Sequence, residues 1–230
     1  MDEKLIEENT ILKVVHGSRA YGTNIPGSDF DEKGVCIMPE KEYYYGFAKF
    51  EQKDKGWADG NDRVIYDIRK FFRLASTCNP NIVEVLYVEP EQIIKCNEIG
   101  RIVLAHRHIF LSRLAAKTFT GYALHQMKKV DNKVKNGEEF KWKHVMHLIR
   151  LLRMGSEIVQ HGEVLVKRPD AEYLLEIRHG KKDLETLMDE ANALLAQIDE
   201  DVKSSPLPER PDMNKIQNLL VHIISAYVPW

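Results

Sequence analysis

The sequence predicts an α+β fold in which a small domain built on a mixed sheet is followed by an all-α helical domain. Three observations carry this expectation. Over the first hundred residues β-rich runs alternate with turn clusters, and from about Ser112 onward the apolar spacing is helical almost without interruption. The chain has 230 residues, 43% of them hydrophobic, which is enough apolar material for one large core or two small ones. The change of pattern places a sheet-bearing domain at 1–110 and a helical domain at 111–230.

Each element has a local reason. Ile11 to His16 reads as a buried strand, followed by a turn-rich stretch from Gly17 to Ser28 and a second strand from Asp29 to Met38. Asn61-Asp62 closes a loop of Gly, Trp and Asp, and Arg63 to Tyr66 reads as a third, shorter strand. A helix follows from about Asp67 to Cys78, with Ile68, Phe71, Phe72 and Ala75 at helical spacing, and Asn79-Pro80 opens a further short element. Helices are then expected from Ser112 to Val134, Phe140 to His161, Asp170 to His179, Asp183 to Ser204 and Asp212 to Ala226. Gly162 and Gly180 stand where C-terminal caps belong, and Pro206, Pro208 and Pro211 stiffen the connector before the last helix.

Composition excludes several classes of function. Lys and Arg number 33 against 35 Asp and Glu, so no global positive field marks a nonspecific nucleic-acid binder, and any anion site must be local. Cys36, Cys78 and Cys96 are widely spaced and lack a C-x-x-C pair, which argues against a disulfide framework or structural zinc and fits a reducing cytoplasm. His106-Arg107-His108 has no partner at metal-ligand spacing and reads as the cationic end of a helix. The acidic stretch from Met1 to Asn9 is neither a signal peptide nor a membrane span, and no other segment reaches spanning length. The expected location is the cytoplasm, with no membrane partner.

The chemistry concentrates at the junction of the first two strands. In Asp29-Phe30-Asp31 strand alternation would point both carboxylates to one face and Phe30 into the core. Two adjacent carboxylates repel unless a divalent cation neutralises them, and Mg²⁺ favours one or two carboxylates completed by substrate phosphates. Taken alone, Asp-x-Asp is more often the solvated face of an edge strand. Here it follows Gly17-Ser18, with ten residues between, at the end of an apolar strand. Glycine lets backbone approach a phosphate, and serine adds a hydroxyl donor.

This order, apolar strand, Gly-Ser, polar turn and Asp-x-Asp, resembles the signature of the polymerase-beta nucleotidyltransferase superfamily. The resemblance implies that Gly17 and Ser18 hold a triphosphate while Asp29 and Asp31 ligate two Mg²⁺ ions, with Mn²⁺ as the alternative. It also implies a third carboxylate on a neighbouring antiparallel strand. Asp67 is the choice, with Asp62 and Glu84 as rivals and an ordinary N-cap as the competing role for Asp67. Further segments, Gly17-Ser18-Arg19-Ala20-Tyr21-Gly22, Lys70 to Ala75, Asn79-Pro80-Asn81, Met146 to Leu152 and Ile177 to Gly180, resemble the RNA-repair-pathway polymerase-beta-like nucleotidyltransferases of bacteria and phages. Cys78 departs from the small residue expected before Asn-Pro.

Other cations and rings extend the expected site. Arg19 and Tyr21 would touch a phosphate and stack on a base or ribose. On the Phe140–His161 helix, Lys143, His147 and Arg150 recur at i, i+4 and i+7 opposite an apolar stripe, and are read as contacts to triphosphate or acceptor phosphate. A solvated charged face is the plainer account of such a row. Tyr122 and Arg178 are weaker candidates, and Tyr43 to Tyr45 read as a cover for the sheet.

The expected reaction is transfer of a nucleoside monophosphate from a nucleoside triphosphate to an acceptor hydroxyl with release of pyrophosphate. An RNA 3′ end is the favoured acceptor. The rivals are modification of protein hydroxyls, as in toxin–antitoxin systems, and a non-catalytic nucleotide-binding module.

Overall fold

The computed structural model of the protein describes residues 2–54, 57–59 and 62–228. Gly60 and Asn61 of the expected turn lie outside the described residues. The first elements are α1 (Glu3–Glu8), β1 (Thr10–His16), α2 (Gly17–Tyr21), β2 (Asp31–Cys36), α3 (Glu42–Tyr45), β3 (Gln52–Lys53) and β4 (Asp62–Asp67). They are followed by α4 (Ile68–Ala75), α5 (Pro80–Tyr87), β5 (Ile93–Cys96) and α6 (Glu98–Ala105). The helical part contains α7 (Leu114–Lys135), α8 (Trp142–His161), α9 (Ala171–Arg178) and α10 (Leu184–Ser204), and α11 (Met213–Tyr227) comes last.

Among the described residues the strands form a five-stranded sheet in the order β3-β4-β2-β1-β5. β1 runs antiparallel to β2 and β5, whereas β2 and β4 are parallel. The chain is therefore α+β with a mixed sheet. The antiparallel third strand expected from the sequence is corrected: the segment between β2 and β4 carries the chain back across the sheet, and α3 and the short β3 lie on that path.

Two compact units divide the chain. The first comprises Met1–Thr77, Asn81–Phe110 and Pro211–Trp230, and the second Cys78–Pro80 with Leu111–Arg210. The last helix thus belongs with the sheet and not with the helical half, as the composition shift alone would have it. It contacts α4, and Tyr227 donates to the Asn9 side chain at 3.2 Å.

In the first unit Ile11, Leu12 and Val14 of β1 are fully buried, and α4 turns Ile68, Phe71, Phe72 and Ala75 inward. Each large apolar side chain so buried contributes roughly 1.5–3 kcal/mol. Phe72 meets Phe110 edge-on at 5.1 Å. In the second unit α8 is central, contacted by α7, α9 and α10. A Cβ on Gly155 of α8 would come within 3.0 Å of Phe119 on α7, so glycine sets that close approach. Side-chain caps start α10 and α11, where Asp183 accepts from Thr186 N at 2.8 Å and Asp212 from Asn214 N at 3.0 Å and Lys215 N at 3.1 Å, whereas α7, α8 and α9 begin without one. No helix of the described residues is long and apolar enough to cross a membrane.

Candidate active site

Register places the key groups at one end of the inner strands β1, β2 and β4. His16 at the end of β1 pairs with Asp31 at the start of β2, and Asp31 pairs with Asp62 at the start of β4. Paired residues project to the same face, and neighbouring strands lie about 5 Å apart. Asp31 and Asp62 are thus adjacent carboxylates on one face, with Lys33 two residues further along β2 on that same face.

Gly17 explains how Asp31 fits. Its φ is +68°, in the left-handed region, and a Cβ there would lie only 2.2 Å from Asp31 Oδ2. The Asp31 carboxylate occupies space that only glycine leaves open. Ser18 follows in the short helix α2, whose end is closed by Gly22 in the left-handed conformation.

Asp29 and Phe30 depart from the expected strand. β2 begins at Asp31, so Asp29 lies ahead of it and is exposed, and Phe30 is 45% exposed and does not enter the core. The backbone there is held by Arg19, whose Nε donates to Asp29 O at 3.2 Å and whose Nη2 donates to Ser28 O at 3.0 Å. Its guanidinium also sits 5.6 Å from the Phe30 ring centre. Arg19 thus clamps the Asp29 loop.

Tyr21 is buried, not displayed for stacking. Its hydroxyl donates to Glu84 Oε2 at 2.7 Å, and the same carboxylate lies 2.9 Å from His16 Nε2. Lys33 Nζ is 3.3 Å from His16 Nε2 and donates to Asn81 Oδ1 at 2.6 Å. A buried polar network therefore underlies the residue that precedes Gly17 and reaches the strand that carries Asp31. Sequence reading overlooked His16, Lys33 and Asn81, although the period-two relation of Lys33 to Asp31 was available. Glu84, a rival for the third carboxylate, is an anchor in this network.

Asp67 is at the far end of β4, paired with Cys36 five positions beyond the Asp31–Asp62 pair and, by parity, on the opposite face. There it caps α4, accepting from Arg69 N at 3.0 Å, and also takes Arg69 Nε at 3.0 Å and the Tyr44 hydroxyl at 2.9 Å. Burial, followed by the Asp67 charge, pushes the Tyr44 phenol and the Cys36 thiol well above their ordinary pKa values. Asp67 is a structural cap. The parallel pairing of β2 and β4 removes the geometric reason for placing it with Asp31.

The row on α8 runs from solvent inward. Lys143 is exposed, His147 is half-buried, and Arg150 is buried with Nη1 3.1 Å from Met154 Sδ. The expectation of a narrow apolar stripe fails because α8 is packed on several sides, so these three side chains do not form a common exposed surface.

Among the described residues no three His, Cys, Asp or Glu side chains converge as a ready-made metal cluster. Asp31 and Asp62, with Asp29 nearby, still offer the hard oxygen donors that Mg²⁺ takes when substrate phosphates and water complete its shell.

The profile of the RNA repair pathway DNA polymerase beta family matches residues 3–222. The chain belongs to that family. It is also 27% identical over 129 residues to an uncharacterized 38.9 kDa protein of the nrdC–mobD intergenic region of Enterobacteria phage T4. That stretch is 52% of this chain and 38% of the phage protein, so the chain spans well under half of that curated relative. A nucleotidyltransferase-like protein from Exiguobacterium sibiricum 255-15 is 15% identical, aligned over 95% of this chain and 74% of its own, with a TM-score of 0.33.

Proposed function

We propose that this chain is a divalent-metal-dependent nucleotidyltransferase that moves a nucleoside monophosphate from a nucleoside triphosphate to an acceptor hydroxyl, with an RNA 3′ end as the acceptor. The observation that carries the reading is the fit of the Asp31 carboxylate against Gly17, with Asp62 in register on the next strand. Family membership supports the same chemistry.

Asp29 and Asp31 would hold the cation, with Asp62 in place of Asp67 as the third carboxylate. Bound there, Mg²⁺ or Mn²⁺ would neutralise phosphate charge and acidify the attacking hydroxyl. Gly17 backbone and the Ser18 hydroxyl would hold the β- and γ-phosphates. The acceptor oxygen bonds the α-phosphorus as the α–β bridging bond breaks, pyrophosphate leaves, and the hydroxyl proton passes to Asp62 or to solvent. Arg19 would act through its hold on the Asp29 backbone.

Incubation of the protein with each α-labelled triphosphate, Mg²⁺ and total RNA or total protein tests this. Label is expected in RNA, and its loss is expected in the Asp29→Ala/Asp31→Ala variant. Label confined to protein would replace the acceptor, and label that survives the double substitution would discard the site.

A further inference from the structure

Between His125 and His144 the chain carries six lysines against three carboxylates, although its net charge is −2. These residues form the loop end of the hairpin made by α7 and α8, within the second unit. We propose that this tip is a docking site for the phosphate backbone of a single-stranded nucleic acid, the acceptor strand if the reading above holds.

Three features support it. First, little of the positive charge is compensated: Glu138 is taken by Lys133 and Asn136, while among the described residues Lys128, Lys129, Lys135, Lys141 and Lys143 make no ion pair. By contrast, the recess at the far end of β4 has Lys70 and Arg73 tied to Glu51, and Arg69 tied to Asp67. Second, Lys129, Asn132, Lys133, Asn136, Lys141 and His144, together with Glu138, Glu139 and Phe140, line a recess of about 430 Å³, in the size range of small-ligand pockets and with donors outnumbering its two carboxylates. Third, the positive field is felt by a neighbour. Burial lowers the His144 pKa, and repulsion from Lys129, Lys141, Lys143 and His125 lowers it further, while its Nδ1 pairs with Gln126 Oε1 at 2.9 Å.

The rest of the tip favours a nucleic acid over a lipid surface. The connector Asn136–Lys141 carries a single apolar residue, Phe140, far short of the continuous apolar face with which an interfacial helix enters a lipid surface. Phe140 and Trp142, edge-to-face at 5.0 Å, add aromatic surface of the kind on which bases stack.

The test is binding of the full chain to a fluorescent 20-nucleotide RNA across a salt series, comparing wild type with Lys129→Gln/Lys141→Gln and with Lys129→Arg/Lys141→Arg. Each lost phosphate contact should lower the slope of log K against log salt by about 0.7 for a single strand. The Gln pair should therefore lose about 1.4 in slope and on the order of tenfold in affinity at low salt, and the Arg pair should retain both. On wild type, RNA should raise the His144 pKa in an NMR titration, a readout that needs no variant. Unchanged RNA affinity and slope in a folded Gln pair, or an unmoved His144, would overturn the proposal, as would loss of binding to phosphatidylserine vesicles alone. Nucleotide transfer to a dinucleotide acceptor, measured in parallel, separates the two readings. If wild type transfers nothing while the RNA effects appear, the catalytic reading fails and the docking site stands.

Discussion

β4 begins and ends with an aspartate, and the two carboxylates have different surroundings. Asp62 is exposed at the strand end where it pairs with Asp31, which on its other side pairs with His16, the residue before Gly17. Asp67 is buried, and both its oxygens accept hydrogen bonds, Oδ1 from Arg69 N and Nε and Oδ2 from the Tyr44 hydroxyl. A buried carboxylate already bonded to the protein through both oxygens is poorly placed to bind a cation, whereas one at an exposed strand end beside a second carboxylate is well placed. Residue type said little about the role of either aspartate; strand direction decided it.

Replacing Asp31 by Ala is expected to have the largest effect, a loss on the order of 10³-fold in labelled-nucleotide incorporation, since such electrostatic groups are worth that much in other active sites. Incorporation within tenfold of wild type would take the centre of the site away from this end of the strands. Gly17→Ala should follow closely, because the new methyl collides with Asp31 Oδ2 and the left-handed φ adds roughly 1–2 kcal/mol of strain. Both the melting temperature and incorporation should fall.

The paired substitutions on β4 address the comparison directly. Asp62→Asn is expected to cost about 10²-fold in incorporation with an unchanged melting temperature. Asp67→Asn should instead cost about 1–2 kcal/mol in urea unfolding, through the lost cap and ion pair, and leave the rate of the folded enzyme close to wild type. The reverse pattern would restore Asp67 to the site. A smaller effect is expected for Arg19→Met, which releases the Ser28 and Asp29 carbonyls: about tenfold, seen as a raised Mg²⁺ requirement.

The smallest effect concerns pH and the helical unit. Burial opposes ionisation of Asp170, but hydrogen bonds and charge from Arg168 and Arg153 outweigh it and hold the carboxyl below its ordinary value. Its folded pKa is depressed, so its stabilisation is present above pH of about 4 and is lost as pH falls through the folded value. The acid limb of a stability–pH curve should therefore be shallower in Asp170→Asn than in wild type.

Much of the helical half was legible because its signals are local. Asp183 and Asp212 announced helix starts, and Gly162, at φ +69°, ended α8 as its position foretold. The site was legible only in part. Gly17 and Asp31 stand together as expected, but the phosphate and base roles assigned to Arg19 and Tyr21 rested on sequence adjacency to Gly-Ser. Adjacency does not say whether a side chain turns outward or inward: Arg19 reaches back to the Asp29 loop and Tyr21 points to Glu84, 63 residues away. The α8 row misled for a related reason. A helical wheel with cations on one side looks amphipathic, yet neighbours can cover that side too, as they cover Arg150.

By itself the sequence determined the fold class and the approximate bounds of β1, β2, β4, α4 and the long helices, because propensity, capping and periodicity act within a few residues. Only the tertiary structure decided which aspartate of β4 faces Asp31 and that the last helix returns to the sheet. Strand direction and packing partners depend on contacts between residues far apart in the chain. No local pattern encodes whether the chain crosses the sheet before it pairs.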